Sequence, residues 1–551
     1  MRVTSTVFPA VLTLGLAPLL AVGLAPAPAS AATEQNRAST AILFQSFHWN
    51  SWRVAGGFYV QLESRAADLA DLGVTHVWLP PPSDAASDEG YLPRRLDVLD
   101  SRYGSEAQLR SAVAELRSRG ISSVAEVVVN HRVGTTSWGD FTQPTWGCEA
   151  VVSGDEWTGR CGGADSGDPY GAARDLDHAA PSVQNGIRSW VSSRLAGVGF
   201  TGLRYDYSRG YAPSYARTYH DAMAPDFCVG EIWTDLDLAN PNPHRQRLMN
   251  WVDGTQGACA TFDFTTKGLL NQALAAGEWG RLRDGAGAPA GAIGWWAQKQ
   301  VTFVDNHDTG PSESCSVGQN HWPVPCGAVM QGYAYVLTHP GIPSIYAAHV
   351  YEWNLRAGIR ELVQARRTAG VTSTSPIAIQ RAEQNLYAAI VTGTARRLAV
   401  RVGSGAWSPT GTWTSVATGT NYQVWVEGTL GGGGGGGGGP CTVTQGFTIA
   451  NGGTTWGQGV VVVGNHPALG NWAPASGLAL TIQGSGANAP WSGAATLPAN
   501  TPIQYKYVRY NPSTGQVLWE SNQATASGNR EATTSATCGS TTTRNDGNFR
   551  F

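Results

Sequence analysis

The sequence predicts an α/β protein with a (β/α)8 TIM barrel, an inserted subdomain, a C-terminal antiparallel β domain and a separate β-sandwich module. Three observations lead to this prediction. Short apolar runs alternate with helical patterns from residue 41 onward, as in parallel α/β folds. Three of these runs end in polar clusters, which in such a barrel lie at the face where active sites form. A tract of nine glycines, Gly431 to Gly439, then sets the last part of the chain apart.

The first half of the predicted barrel shows the alternation most clearly. Residues 41–44, 74–79 and 122–129 are apolar runs of strand length, and residues 108–116 are helical in pattern. Another helix leads into the run that ends at Asp206. Two of the helices place apolar side chains on one face, at Tyr59, Leu62, Ala66 and Leu69 and at Ile187, Trp190, Val191 and Leu195.

Other segments interrupt or follow the barrel, which is assigned to residues 32–372. Residues 132–180 have little periodicity but many Gly, Asp, Ser and Trp, and a loop of this length is normally either functional or a small inserted subdomain, which we call subdomain B. Residues 373–428 contain short alternating runs rich in Thr, Val and Trp, and we expect a small β-sandwich, domain C, there. Residues 429–440 form a Gly-rich linker, and residues 441–551 are all-β by pattern.

The N-terminus predicts export. Arg2 precedes an almost wholly apolar stretch from Val7 to Leu24, and Ala29-Ser30-Ala31 has the small side chains of a cleavage site. Residues 1–31 are therefore expected to be a signal peptide, and the mature protein to be extracellular. The alternative is a membrane anchor, but prolines and a glycine interrupt the stretch, and no later run is long enough to span a bilayer.

The chain has eight cysteines, which in an exported protein indicate disulfides. Local spacing favours three pairs and leaves a fourth, although the sequence alone does not fix the pairing: Cys148–Cys161, Cys228–Cys259, Cys315–Cys326 and Cys441–Cys538. A zinc site is the alternative, but the chain has neither a C-x-x-C nor an H-E-x-x-H spacing.

Composition argues against several kinds of partner. Charged residues make up 14% of the chain, below the roughly 25% typical of soluble domains. The net charge of −3 gives no electrostatic basis for binding nucleic acid or an anionic membrane. The 21 tryptophans have flat rings that suit the apolar faces of sugars, although a bulky core would also account for most of them. No feature indicates oligomerisation, so we expect a monomer.

Three carboxylates stand at the ends of apolar runs. Asp206 follows Gly202-Leu203-Arg204-Tyr205, Glu231 follows Phe227-Cys228-Val229-Gly230, and Asp308 ends Phe303-Val304-Asp305-Asn306-His307-Asp308. Two carboxyl groups facing one sugar bond are sufficient to hydrolyse a glycoside. The sequence therefore predicts a glycosidase site at these strand ends.

Four motifs in a fixed order carry a family resemblance. They are Glu126-Val127-Val128-Val129-Asn130-His131, Gly202 to Tyr207, Gly230-Glu231-Ile232-Trp233 and Phe303 to Asp308. By these motifs the chain resembles glycoside hydrolase family 13, the α-amylases, and is most similar to the bacterial maltotetraose-forming and related malto-oligosaccharide-forming amylases. The resemblance extends from about Ile42 to Glu427.

The resemblance implies a role for each carboxylate. Asp206 would be the nucleophile that forms a covalent glycosyl ester, and Glu231 the general acid and then the base, with net retention. Asp308 would bind sugar hydroxyls and hold the ring distorted. Other implied substrate contacts are Tyr91 as a stacking platform, Trp49 as a wall of the donor subsites, His131 and His307 as hydroxyl donors, and Arg204 as the cation that keeps the nucleophile ionised.

The resemblance also implies a calcium ion between the inserted subdomain and the barrel. A hard cation takes roughly six to eight oxygen ligands, which clustered aspartates, an amide and a backbone carbonyl supply. The alternative is a solvated acidic loop. The matching positions are Asn130, Asp165, Asp168, Asp175 and the carbonyl of Gly210.

Two positions depart from the family pattern. Glu126 stands where the family has aspartate, and a longer carboxylate is expected to reach Arg204 with small adjustments. Maltotetraose-forming relatives carry an extra aspartate that grips the chain end, where this chain has Gly171 to Arg174. The expected product is maltotetraose or a similar oligosaccharide, and the alternative is an endo-acting α-amylase.

Two further alternatives are disfavoured. A cyclodextrin-forming transglycosylase would carry another domain before the last module, and nothing fits between residues 428 and 441. A non-catalytic starch-binding protein would not need the intact set of carboxylates.

Residues 441–551 resemble the starch-binding carbohydrate-binding module family 20. The resemblance rests on Val463-Gly464-Asn465, Leu469 to Trp472, Gln504 to Tyr507 and Trp519 to Asn522. The alternative is that the tryptophans are core residues, as we expect for Trp491. The implied contacts are a platform of Trp472 and Trp519, hydrogen bonds from Lys506 and Asn529, and a second site at Trp456.

Overall fold

The computed structural model describes residues 39–429 and 442–550, apart from 485, 487, 500, 522–527, 536 and 538–539. The predicted signal peptide and residues 430–440 of the predicted linker lie outside the described residues. Within the described ranges, no helix combines the length and apolar character needed to cross a membrane.

Eight parallel strands close into a barrel in sequence order, which confirms the predicted fold class. Each strand is short and almost fully buried, as expected for strands covered on both faces. The strands are Leu43–Gln45 (β1), His76–Trp78 (β2), Ser122–Val127 (β3), Gly202–Tyr205 (β4), Phe227–Gly230 (β5), Ala260–Phe262 (β6), Gln300–Phe303 (β7) and Ile342–Tyr346 (β8).

Helices cover the outside of the barrel. They are Phe58–Leu72 (α1), Glu106–Ser118 (α2), Pro181–Ser189 (α3), Pro213–Met223 (α4), Asn242–Gly254 (α5), Phe264–Ala276 (α6), Ile293–Trp296 (α7), Val329–Thr338 (α8) and Arg356–Ala369 (α9). After α3 the chain stays helical through Trp190–Leu195 and Ala196–Val198. Helix α2 begins with a capping box, in which the side chains of Ser105 and Gln108 each accept the other's backbone N–H.

The inserted subdomain leaves the barrel after β3 and returns through a two-stranded pairing. His131–Arg132 pairs antiparallel with Arg174–Asp175, so the two ends of the long insertion lie side by side. Inside it, a disulfide joins Cys148 to Cys161. The predicted pairs Cys228–Cys259 and Cys315–Cys326 are also confirmed. The expected partners Cys441 and Cys538 lie outside the described residues.

The β domain after the barrel is one sheet, so the prediction of a small β-sandwich at 373–428 is wrong. Its strands are Ile377–Glu383 (β9), Leu386–Thr392 (β10), Arg397–Val402 (β11), Trp413–Gly419 (β12) and Tyr422–Glu427 (β13), in the order β9-β10-β11-β13-β12. Helices α8 and α9 pack on this sheet, and its apolar side chains belong to the same core as the barrel. The helices supply the second layer, which a sandwich would have supplied with another sheet.

The C-terminal module consists of two sheets around its own core. The strands are Thr442–Ile449 (β14), Gly459–Gly464 (β15), Leu478–Ala479 (β16), Thr481–Ile482 (β17), Trp491–Pro498 (β18), Pro502–Tyr510 (β19), Val517–Trp519 (β20), Arg530–Thr533 (β21) and Thr541–Asn545 (β22). The core includes Phe447, Val462 and Tyr505. One sheet has the order β17-β18-β14-β22, and the other has the order β16-β15-β19-β20 with β21 beside β19.

Candidate active site

Asp206 and Glu231 stand side by side because their strands, β4 and β5, are neighbours. The backbone N–H of Asp206 donates to Val127 at 3.0 Å, and that of Glu231 donates to Tyr205 at 3.0 Å, so each residue still lies in the strand ladder. Both side chains point to the same end of the barrel. Both carboxyl groups contact the side chain of Arg204, so they lie close to each other.

Arg204 is the centre of the charged cluster. Its side chain is fully buried, with Nη1 2.7 Å from Asp206 Oδ1 and Nη2 2.7 Å from Glu231 Oε1. Nη1 also donates to Glu126, which in turn accepts from the indole of Trp78. One guanidinium thus bridges three carboxylates, which fixes their positions relative to one another.

The glutamate at position 126 reaches the arginine directly, as expected. Strand register places Glu126 opposite Arg204 on β3 and β4, and both side chains are buried. The guanidinium also lies over the Trp78 ring, with 4.8 Å between the guanidinium carbon and the ring centroid. The longer side chain therefore keeps the same partner without a break in the strand pairing.

Burial and like charge raise the carboxyl pKa values in this cluster. Burial raises the pKa of Asp206, while the Arg204 charge opposes that rise. Burial, with the negative charge of Asp206, raises the pKa of Glu231. Burial also raises the pKa of Asp308 well above its usual range, with Glu231 adding to the effect. Protons are therefore held at this site more tightly than on free carboxyls, which suits a group that must donate one.

Asp308 and His307 follow β7 on a loop with its own supports. His307 Nε2 lies 3.1 Å from Asp308 Oδ2, and Gln45 donates to His307 Nδ1 at 2.8 Å. Burial lowers the pKa of His307 well below its usual range, so the ring is neutral and donates through Nε2. The loop therefore presents one acceptor and one oriented imidazole.

A buried ion pair beneath this loop was missed by sequence reasoning. Lys267 Nζ lies 2.6 Å from Asp305 Oδ1 and donates to Asn271 at 2.9 Å. Asp305 also accepts from the hydroxyl of Thr309 and from the backbone of Val324. Asp305 stands inside a motif already singled out, but Lys267 carries no signal in its own segment.

Aromatic rings line the same end of the barrel. Tyr91 lies parallel to Trp49 and to His307, with ring centroids 6.0 Å and 5.2 Å away and planes within 7°. His131 is buried and donates through Nε2 to the carbonyl of Tyr91 at 2.8 Å. Burial lowers the pKa of His131 to about 4, so its ring is neutral.

Tyr170 is a second residue that sequence reasoning did not find. Its ring lies flat on His131, with 3.8 Å between centroids and 8° between planes. Its ring also lies edge-on to that of Tyr207, the residue after Asp206, with 5.1 Å between the ring centroids. Tyr170 lies in the irregular insertion, where no periodicity marks it out.

A cavity of about 300 Å³ opens beside Glu231. Tyr207, Arg209 and Trp233 line it together with that carboxylate. The space lies against the Glu231 carboxyl group and is large enough for part of a sugar chain.

Glycine at position 230 allows a large side chain to lie directly under the end of β5. A Cβ added to Gly230 would lie 2.4 Å from the ring of Trp251. The Trp251 indole donates to the carbonyl of Ser208 at 3.2 Å. This ring therefore holds the turn after β4 against the residue that precedes Glu231.

Three of the five predicted cation ligands, Asn130, Asp175 and Gly210, lie close together where the insertion returns to the barrel. Asn130 Oδ1 lies against the backbone of Gly210, where an added Cβ would be 2.0 Å away. Asn130 Nδ2 donates to Asp175 at 3.1 Å. Burial, with the charge of Asp165, raises the pKa of Asp175 to about 7. Asn130, Asp175 and Gly210 therefore offer an amide, a carboxylate and a carbonyl oxygen, which are the kinds of ligand that calcium takes.

Asp168 is the least suited of the five predicted ligands. Its side chain is 56% exposed and lies 3.8 Å from the Arg209 guanidinium. Within the described part of the chain, no group of three or more His, Cys, Asp or Glu side chains is arranged to hold a metal ion. The fit therefore depends on the amide of Asn130 and the carbonyl of Gly210 as well as on acids.

The predicted sugar contacts of the module lie mostly on one sheet. Trp519 on β20 pairs with Val508 on β19, and Trp472 packs on the cluster that contains Val508. Lys506 is two residues from Val508 and shares its face. The side-chain amide of Asn529 donates at 3.2 Å to Gln504, which lies on β19 together with Lys506.

Two other tryptophans of the module differ in exposure. Trp456 is fully exposed in the loop between β14 and β15, and Trp491 is buried in the core as expected.

Comparisons with known proteins agree with this architecture. A family model described as the alpha-amylase C-terminal beta-sheet domain matches residues 368–426, and one described as a starch binding domain matches residues 441–544. The chain is 38% identical to "Probable alpha-amylase 2" of Arabidopsis thaliana over 400 residues, which cover 70% of this chain and 93% of that protein.

Two bacterial relatives match over most of both chains. Glucan 1,4-alpha-maltotetraohydrolase of Roseateles saccharophilus is 32% identical and covers 87% of this chain and 90% of its own. The enzyme of that name from Stutzerimonas stutzeri is 33% identical, with 84% and 87% covered. Among solved structures, a gamma-CGTase from alkalophilic Bacillus clarkii shares the fold with a TM-score of 0.50 and 15% identity, over 93% of this chain and 99% of that one.

Proposed function

Because the chain belongs to the α-amylase family of glycoside hydrolases and carries a starch-binding domain, we propose that it is a secreted, retaining enzyme that cleaves α-1,4-glucosidic bonds in starch. The products are short malto-oligosaccharides, with maltotetraose or a similar length released most. The substrates are starch, amylose and malto-oligosaccharides, and the enzyme acts as a monomer outside the cell.

The reaction proceeds by two displacements at one sugar carbon. Asp206, held by Arg204, attacks the anomeric carbon while Glu231 protonates the departing oxygen. Glu231 then takes a proton from water, which attacks the same carbon and releases Asp206. Asp308 accepts hydrogen bonds from hydroxyls of the distorted ring.

The observation that carries this proposal is the bridge at Arg204. The guanidinium holds Asp206 through Nη1 and Glu231 through Nη2, each at 2.7 Å, so the two carboxyl groups lie against adjacent nitrogens of one planar group. Retaining glycosidases place their two carboxyls about 5 Å apart, whereas inverting ones keep roughly 6.5–9.5 Å for a water molecule. This close approach favours retention.

The remaining contacts follow from the positions of the rings. Tyr91 provides the flat surface beneath the sugar that is cleaved, and Trp49 extends it toward the donor side. His307 donates to a hydroxyl through Nε2, next to Asp308. His131, whose Nε2 is bonded to the Tyr91 carbonyl, also holds that platform in place.

Calcium is proposed to be held by Asn130, Asp165, Asp175 and the carbonyl of Gly210, with Asp168 nearby. When bound, the ion neutralises these acids and ties the inserted subdomain to the turn after β4. Asn130 directly precedes His131, and Asp175 accepts from the backbone of Tyr170 at 2.8 Å. The proposed calcium ligands therefore hold the backbone at His131 and Tyr170 and help to position the two rings.

The predicted boundaries complete the proposal. Residues 1–31 direct export and are removed, and residues 429–440 tether the module at 441–551 to the catalytic part at 32–428. The tether lets the barrel act on chains near the point where the module is bound. An endo-acting α-amylase of broad product range is the second candidate, because the 171–174 loop lacks the chain-end aspartate.

The test is a time course of soluble-starch digestion with calcium, with products separated by length. One dominant early oligosaccharide supports exo-type release, whereas a broad early ladder with rapid loss of iodine staining supports endo action. The Asp206→Asn variant should lose activity by a factor on the order of 10⁴ or more. The exposed Asp253→Asn on α5 is the matched control, and equal activity of the two variants would contradict the catalytic assignment.

A further inference from the structure

Two exposed tryptophans of the inserted subdomain stack on each other. Trp138 is 43% exposed and Trp157 is 40% exposed, and their ring centroids lie 5.5 Å apart with the planes 10° from parallel. Rings at this separation form an offset stack. Each ring therefore covers part of the other and still leaves aromatic surface open to solvent.

The loop that carries Trp157 is fixed by a buried carboxylate. Asp155 is 2% exposed and accepts from the backbone N–H of Trp157 at 2.8 Å and from that of Asp175 at 3.0 Å. The Arg174 guanidinium lies 3.4 Å from Asp155 and donates to the carbonyl of Thr158 at 2.8 Å. The ring is thus presented by ordered backbone on both of its sides.

The loop that carries Trp138 is closed by Asp140. Its carboxylate accepts from the backbone N–H groups of Thr136 and Ser137, at 2.9 Å and 2.7 Å, and from both of their hydroxyls. A turn closed in this way has few alternative conformations. Binding of a ligand to the rings therefore costs little conformational entropy in the protein.

The same hydrogen bonds connect the pair to the catalytic end of the barrel. Asp155 holds the backbone of Asp175, the Asp175 carboxylate accepts from the Tyr170 N–H at 2.8 Å, and the Tyr170 ring lies on His131. The aromatic pair is therefore linked to the proposed cleft through hydrogen-bonded backbone, and neither ring is among the residues that line the cavity beside Glu231.

The size of the exposed surface indicates the kind of ligand. The open parts of two indoles amount to on the order of 200 Å². A stable protein interface buries about 800 Å² on each partner, so this surface is too small for one by itself. It matches one or two sugar rings, and a glucan is the polymer that this family of enzymes and its starch-binding domain act on.

We propose that Trp138 and Trp157 form a glucan-binding platform in the inserted subdomain, separate from the catalytic carboxylates and from the C-terminal module. The rings stack on the apolar faces of glucose units in an α-1,4-glucan and hold a strand of starch beside the cleft. This inference rests on the proposed function, because it takes starch as the ligand.

The test uses the full chain in a background that weakens the module. With Trp472→Ala and Trp519→Ala present, retention is measured in native gels that contain amylopectin, relative to gels without it. Adding Trp157→Ala should weaken the apparent affinity about tenfold. Trp157→Tyr should keep most of the retention, because a flat ring remains. Trp413→Ala, which removes a half-buried indole covered by Arg397, should leave retention unchanged.

Hydrolysis of maltopentaose by the same variants separates the possible outcomes. Unchanged activity together with lost retention supports the platform. Unchanged retention overturns it, and so does an equal loss of kcat/KM on maltopentaose, which would place the rings inside the cleft. A shift from dimer to monomer in size-exclusion chromatography overturns it in favour of an interface between copies. If the protein is retained through Trp157 but does not hydrolyse starch, the platform is supported and the proposed function is overturned.

Discussion

The proposed catalytic cluster and the proposed sugar-binding face of the module would both meet glucose units, yet they are built in opposite ways. At the barrel end, Arg204 and Glu126 have no exposed side-chain surface, and Asp206 and Glu231 have about a tenth or less. On the module, Trp519 is 41% exposed and Trp456 is fully exposed. In the module, the ion pair between Glu520 and Arg530 is buried.

This difference follows from what each region has to do. Cleavage of a bond needs charges held in fixed places away from water, where their interactions are strongest. Holding a sugar without changing it needs an apolar surface that remains in water until the ligand arrives. Matched substitutions in the two regions should therefore affect different measurements.

The largest expected effect is at Glu231. Glu231→Gln cannot supply a proton, and kcat on soluble starch should fall by roughly 10²- to 10⁴-fold. The matched variant is Glu520→Gln, a buried glutamate that accepts from the Tyr507 N–H at 3.0 Å. It should leave kcat on maltopentaose unchanged. A comparable fall in both variants would remove the distinction between the regions.

The Lys267–Asp305 ion pair tests how much the stability of the barrel depends on pairing a buried charge with an opposite one. Lys267→Met leaves the buried Asp305 without its partner and should lower the free energy of unfolding by about 3–5 kcal/mol. Adding Asp305→Asn should restore part of that loss. Urea unfolding followed by tryptophan fluorescence measures both. The half-buried Lys506→Met in the module is the control, and an equal loss there would show that burial of the pair is not the cause.

His339 allows the two regions to be compared through the pH dependence of the free energy of unfolding. Burial lowers its pKa to about 3, and its neighbours are Tyr335, Tyr387 and Arg366. The unfolded chain takes up a proton near pH 6.5, whereas the folded chain does so only near pH 3. This stabilisation is therefore complete above pH 6.5 and is lost as the pH falls.

The measurement is the free energy of unfolding at pH 7 and pH 5. The wild type should lose about 2 kcal/mol more than His339→Gln over that interval. His466→Gln in the module removes a partly exposed histidine and should change the pH dependence far less. Parallel pH profiles for the wild type and His339→Gln would contradict the sign argued here.

The smallest expected effect is at the module surface. Trp519→Ala removes one stacking ring, and adsorption to raw starch granules should weaken about tenfold. Cleavage of maltopentaose, which is soluble, should not change. Trp491→Phe keeps a ring in the buried core of the module and is the control for its fold. A loss of maltopentaose cleavage in Trp519→Ala would mean that the two regions do not act separately.

Strand ends were predictable because the information is local. An apolar run followed by a polar residue specifies both the strand and its C-terminal end, which is why the positions of Asp206, Glu231 and Asp308 at barrel strand ends could be predicted. The three described disulfides were found from short spacings for the same reason.

Features that depend on distant partners were not predictable in this way. The sheet at 377–427 was expected to be a sandwich, because its strands alone do not show that α8 and α9 cover it. Lys267 is 38 residues from Asp305, and nothing in its own segment marks the pairing. Tyr170 gains its position only when the insertion folds back over His131.

The close fit of Gly230 and Trp251 restricts how this enzyme can diverge. Any side chain at 230 would collide with the indole at 2.4 Å, so position 251 must shrink before position 230 can grow. The intermediate would carry an empty space beneath Glu231 and lose the bond from the indole to Ser208. A related sequence that has another residue at position 230 is therefore expected to have another residue at position 251 as well. The geometry requires the replacement of Trp251 to come first.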